Sequence, residues 1–220
     1  MKLALLAVMA VGGVCSFAVP GVYAVFSAET RNLPSKAGSG TLTMDLVVGG
    51  GSPCYSYNGP ASPGNVNTSC DALATYTPSA ELYPGEPKTV TVTVRNDGSL
   101  PGSDLLLYMP GGCSPVSTGD APAPGTGNPC TAGGMQLYVE ETTPGGPKCW
   151  FPAAAGACSF TSDLATFAAK TTLATALDLG AGPAAQQTRT FTIGLQIPST
   201  ADNTYQGRGA SFTLDWHLNS

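Results

Sequence analysis

Residues 188–218 read TRTFTIGLQIPSTADNTYQGRGASFTLDWHL, and their spacing decides the fold class. Phe191, Ile193, Leu195 and Ile197 alternate with other residues, and Phe212, Leu214, Trp216 and Leu218 do so again after a polar connection. Successive side chains of a strand point to opposite faces of a sheet, so each run has one apolar face and reads as a half-buried strand. Pro198, Asp202, Asn203, Gly207 and Gly209 between them oppose helix and suit a long turn. Such a pair of strands needs a second layer to cover it.

The same period recurs upstream. Over residues 39–48, Leu42, Met44, Leu46 and Val48 fall on one side and Thr41, Thr43 and Asp45 on the other, and Gly49, Gly50 and Gly51 end the run. Val90, Val92 and Val94 share one face of the next run, and Asn96, Asp97 and Gly98 supply residues that tolerate a reversal before a strand over 104–109. Residues 135–141 read as a further strand with Leu137 and Val139 inward. One short helix is expected after the cap Ser162-Asp163, with Leu164, Phe167, Ala168 and Thr171 at helical spacing. Segments 52–78, 110–134 and 144–159 read as Gly- and Pro-rich loops. The expectation is an all-β, antiparallel β-sandwich, jelly-roll-like, with one short helix and disulfide-bridged loop insertions. Residues 42–48 and 90–94 are expected to face the terminal pair.

The amino terminus, MKLALLAVMAVGGVCSFAVPGVYA, places one Lys before an apolar run and ends on small residues, the layout of a secretory signal with cleavage between Ala24 and Val25. Its apolar run is short for a membrane span of about 20 residues. The expected organisation is a signal over 1–24, an amino-terminal segment over 25–38 and a single β-sandwich domain over 39–220. Charged residues are 10% of the chain, against about 25% in ordinary soluble domains. With fourteen Asp and Glu against nine Lys and Arg, one of them Lys2, the processed chain is acidic. That surface offers no electrostatic footprint for nucleic acid or, after processing, for an anionic membrane.

Cys15 leaves with the signal, and six cysteines remain: Cys54, Cys70, Cys113, Cys130, Cys149 and Cys158. They cluster in sequence as Cys54/Cys70, Cys113/Cys130 and Cys149/Cys158, each pair flanking a Gly/Pro-rich loop. Three local disulfides in an oxidising compartment are expected. Each would contribute about 3 kcal/mol in the chain-entropy account.

Catalytic constellations are sparse. His217 is the only histidine, and it shares the polar side of its strand with Asp215. No G-x-S-x-G motif occurs, and a single histidine cannot supply H-E-x-x-H. Glu140 and Glu141 are adjacent, which in a strand points them to opposite faces. Asp202 and Asn203 with Asp97 or Asp104 offer oxygen ligands for calcium without the EF-hand spacing. No catalytic residue, cofactor or metal site is therefore expected. Asn67-Thr68-Ser69 forms a glycosylation sequon.

Taken together, VYAVFSAET at the cleavage position, GTLTMDL, ELYPGEPKTVTVTVRNDGSLPG and IPSTADNTYQGRGASFTLDWHL resemble the TasA/camelysin family of exported bacterial proteins. The resemblance spans roughly half of the processed chain. It implies a jelly-roll domain, processing by a dedicated signal peptidase, and assembly into extracellular biofilm-matrix fibres with other copies of the chain or a related matrix protein. In that assembly the amino-terminal segment acts as a donor strand: carried over, residues 25–36, with Val25, Phe26 and Leu33. The six cysteines and the inserts 49–78 and 110–159 depart from the fibre formers. The expected function is a secreted, non-enzymatic structural protein of the cell surface or matrix. Two alternatives stand beside it: a monomeric adhesin or carbohydrate-binding module that uses the bridged loops, and a camelysin-like metallopeptidase.

Overall fold

In chain order the strands are β1 (Met44–Val48), β2 (Cys54–Tyr55), β3 (Lys88–Asn96), β4 (Leu105–Tyr108), β5 (Ser114–Ser117), β6 (Gln136–Thr143), β7 (Gly146–Phe151), β8 (Leu177–Asp178), β9 (Thr188–Gln196), β10 (Arg208–Ser211) and β11 (Asp215–Leu218). One helix, α1 (Leu164–Ala168), and two short 3-10 turns complete the set among the described residues. The structure, a computed structural model, describes residues 41–51, 53–56, 83–117 and 125–219. All belong to one unit, Gly40–Ser220. The expected signal, the Ala24/Val25 cleavage position, the donor residues Val25, Phe26 and Leu33, the sequon and Cys70 lie outside the described residues.

The protein is an all-β antiparallel sandwich. A six-stranded sheet in the order β2-β1-β3-β9-β6-β7 faces a three-stranded sheet, β11-β4-β8, and β5 with β10 forms a separate two-stranded ribbon. Alternation places the core: Val92 and Val94 of β3, Phe191 and Ile193 of β9 and Leu137 and Val139 of β6 all point to one side and are fully buried. From the smaller sheet Leu105 and Leu107 meet them. At the far end α1 inserts Leu164 and Phe167, and the Phe167 ring meets Phe151 of β7 edge-on, with centroids 5.1 Å apart. Asp163 sits at the N-cap, yet its carboxylate makes no cap bond. It accepts instead from the Gly133 N–H at 3.0 Å, which ties the loop before β6 to the helix, and the helix ends at Ala168, short of Thr171.

Several expectations are corrected. The two terminal strands do not pair: β9 lies in the larger sheet and β11 in the smaller, so they face each other, with Phe191 and Trp216 rings 5.0 Å apart. Accordingly β1 and β3 lie in one sheet with β9, in the order β1-β3-β9, rather than forming its cover. Periodicity tells which side of a strand is apolar and says nothing about which sheet receives it. Phe212 and Leu214 lie before β11, because the strand covers only Asp215–Leu218. Gly98 is required for space rather than for positive φ, since a Cβ there would fall on the Thr41 carbonyl oxygen. The chain at that point crosses from β3 to the opposite sheet instead of making a hairpin. Within segments read as loops, β5, β7 and β10 are strands. β7 pairs with β6 and β5 pairs with β10.

Candidate functional site

Cover over the larger sheet is uneven. Across β3, β9 and β6 the inner side chains are fully buried, whereas Met44, Leu46 and Val48 of β1 remain half-exposed although they pack on the same core. The two sheets differ in width, six strands against three. The smaller sheet ends at β11, which pairs on one side with β4, in the register Trp216 to Leu107 and Leu218 to Leu105, and has no described strand on its other side. An edge strand presents unpaired N–H and C=O groups and accepts another strand. The described fold thus has an open backbone edge at β11 and, in the facing sheet, an incompletely covered apolar side on β1.

The bridged loops close other margins. Cys113–Cys130 joins the start of β5 to the segment before β6, with Cα atoms 5.6 Å apart. Cys149–Cys158, with Cα atoms 4.8 Å apart, folds residues 152–158 back along β7. The Cys149 N–H donates to the Gly156 carbonyl at 2.9 Å, and the Cys158 N–H donates to Glu140 Oε2 at 2.6 Å. That loop satisfies part of the outer edge of β7. Cys54 is disulfide-bonded as well.

An ion pair that the sequence reading missed joins β9 to β6 within the larger sheet and reaches the segment after β8. Arg189 Nε and Nη2 donate to the two oxygens of the Glu141 carboxylate, each at 2.7 Å, while Nη1 and Nη2 also donate to the carbonyls of Ala181 and Leu179. The Trp150 indole N–H donates to Glu141 Oε2 at 2.9 Å, and Lys148 lies 3.4 Å from the centroid of that ring. Burial pushes the Glu141 carboxyl up, but the hydrogen bonds from Arg189 and Trp150 outweigh it and hold the group below its ordinary value. The signal was present in the sequence: Arg189 and Glu141 each extend an apolar alternation by one step, so each falls on an inward face. Because every head-group partner is accounted for, this cluster is a structural clamp.

A second polar cluster lies on the outer face of β1 and β3. Asp45 stands opposite Arg95 and, on the other flank, opposite Tyr55. The polar side of β1, expected to face solvent, is more buried than its apolar side: Thr43 is 2% and Asp45 6% exposed. Arg95 Nε donates to Asp97 Oδ1 at 2.8 Å, and Nη2 donates to Gln186 Oε1 at 3.2 Å. Asp45 also hydrogen-bonds the Asp97 side chain. Burial, with Asp97 beside it, pushes the Asp45 carboxyl up to about 6, against the opposing pull of Arg95. Thr43 Oγ1 and Asp45 Oδ1 are buried and have no hydrogen-bond partner.

The constellations weighed from the sequence are not assembled. His217 Nε2 pairs with Asn219 Oδ1 at 2.8 Å, and the Asp215 carboxyl hydrogen-bonds Tyr108 instead of His217. Register places Arg95 beside Thr188 and Lys88 beside Leu195, so Asp97 and the Asp202 turn that follows β9 occupy opposite ends of the sheet. Asp202 Oδ1 accepts from its own turn, at the Thr204 N–H and hydroxyl. Among the described residues no group of three or more His, Cys, Asp and Glu could hold a metal ion, and no helix is long and apolar enough to cross a membrane. In comparisons with known proteins, no family model matches the chain and no curated sequence matches it.

Proposed function

We propose that this is a secreted, non-enzymatic structural protein of the cell surface or extracellular matrix, and that it associates with further copies, or with a related matrix protein, by strand addition beside β11. The observation that carries this reading is the open edge of β11 in the smaller sheet, together with the half-buried Met44, Leu46 and Val48 at the margin of the sheet that faces it. A strand added there would pair its N–H and C=O groups with the free side of β11 and lay alternate side chains over those three residues, which is association without catalytic groups. The bridged loops support the same reading, because disulfides persist outside the cell and stiffen the margins that a partner does not cover. In this account a signal peptidase removes residues 1–24, and residues 25–36 supply the strand, with Val25, Phe26 and Leu33 as its apolar contacts.

Electron microscopy and sedimentation of the processed chain, beside a version that lacks residues 25–36, test the proposal. Filaments are expected from the first and a stable folded monomer from the second. If both polymerise, or neither does, strand donation by this segment is wrong.

A further inference from the structure

We propose that Thr43, Asp45 and Asp97 form a binding site for a divalent cation of the calcium class on the outer face of β1 and β3. The register sets these residues in a block with Arg95. Thr43 precedes β1 and lies opposite Asp97, whose N–H donates to the Thr43 carbonyl at 2.9 Å, while Asp45 lies opposite Arg95. Directly opposed residues of an antiparallel pair share a face, so one hydroxyl, two carboxyls and one guanidinium converge there.

Two oxygens in this block, Thr43 Oγ1 and Asp45 Oδ1, are buried and unpartnered. Leaving a buried polar atom without a partner costs about 1–3 kcal/mol, and here two such atoms sit two residues apart on one strand face. A carboxylate oxygen is satisfied by a donor or a cation. The donor set, all oxygen with two carboxyls in mutual contact, suits a hard cation whose charge relieves their repulsion. Calcium fits better than magnesium, since its coordination is flexible and takes whatever oxygens two strands at fixed spacing can offer, whereas magnesium demands a near-ideal octahedron.

Arg95 sets the strength. Its Nε donates to Asp97 Oδ1 at 2.8 Å and its Nη2 to Gln186 Oε1, so the cation displaces the guanidinium from Asp97, and a side chain already 43% exposed can turn to solvent. Its charge still opposes binding, which puts the affinity near the ~10⁻⁴–10⁻³ M of extracellular calcium modules. The bound ion ties β1 to β3, the neighbour it pairs with along its whole length.

The test is calorimetric titration of CaCl2, and separately MgCl2, into the EDTA-treated and dialysed protein at constant ionic strength, with thermal melts in parallel. Saturable binding of one calcium and a rise in Tm are expected, with magnesium about tenfold weaker. Asp45→Asn keeps the side-chain shape and should lose at least about tenfold in affinity, Asp97→Asn a similar amount and Thr43→Val about threefold. The absence of saturable binding up to about 10 mM calcium, beyond the extracellular range, overturns the proposal. So does binding that both Asp45→Asn and Asp97→Asn retain, which would assign the effect to scattered surface charge.

Discussion

The middle of the larger sheet and its β1 margin are built from the same alternating pattern, yet they bury opposite sides of it. In β3 the valines Val92 and Val94 are sealed while Thr91 and Thr93 face out. In β1 Met44, Leu46 and Val48 stay half-exposed while Thr43 and Asp45 are buried. The strands β1 and β3 are direct neighbours, so the contrast comes from what lies above and below them. β11 lies over β9, where Trp216 packs on Phe191, and no described strand of the smaller sheet continues beyond it. An amphipathic pattern thus fixes which face is apolar, and the width of the opposing layer decides how far that face is covered.

The largest effect should come from the centre. Phe191→Ala removes a ring that packs on Trp216 and is expected to cost about 3–5 kcal/mol in urea unfolding. Leu46→Ala at the margin should cost about 1 kcal/mol, and equal losses at the two sites would break the comparison. Arg189→Met leaves the Glu141 carboxylate buried without its cation, with an expected loss of about 3–5 kcal/mol. A loss under about 1 kcal/mol would show that the clamp is solvated. Reduction of Cys149–Cys158, or its replacement by serines, should cost about 3 kcal/mol and free the edge of β7. Protection of the Cys149 amide against hydrogen exchange reports that directly.

Asp45 gives a pH-dependent shift, of the order of 1–3 kcal/mol. Its carboxyl goes from an ordinary 3.8 to about 6 in the folded chain. Between those values the folded state holds a proton that the unfolded state has released, so stability is full below the lower value and falls as the pH rises through the upper one. Glu141, held low, acts in the other direction, and its contribution is lost only as the pH falls below its ordinary 4.5. In EDTA, stability should therefore decline from about pH 4.5 to about pH 6, and Asp45→Asn should flatten that decline. An unchanged slope in the variant would place the titrating group elsewhere.

The sandwich was legible because β3, β6 and β9 alternate without interruption. β7 was not: GPKCWF opens on Gly and Pro, its apolar residues are bunched at one end, and its pairing with β6 is what makes it a strand. The partition of β9 and β11 between layers was hidden for a related reason. The turn between them is long enough to cross the core or to reverse beside it, and only the packing of Trp216 on Phe191 selects the crossing. The Arg189–Glu141 pair could have been read as charges that continue an apolar period. Burial of Asp45 had no such signal, because an Asp between Met and Leu on a polar face looks like any exposed one.

β11 is made after every other described strand, yet it lies over Phe191 near the middle of the larger sheet. A chain emerging from its amino terminus therefore cannot seal its core until Trp216 has emerged, however many earlier strands have already paired. Until then the protein is an open sheet with a bare aromatic floor, a state that depends on speed of completion, or on another protein's shelter, to avoid sticking to its neighbours.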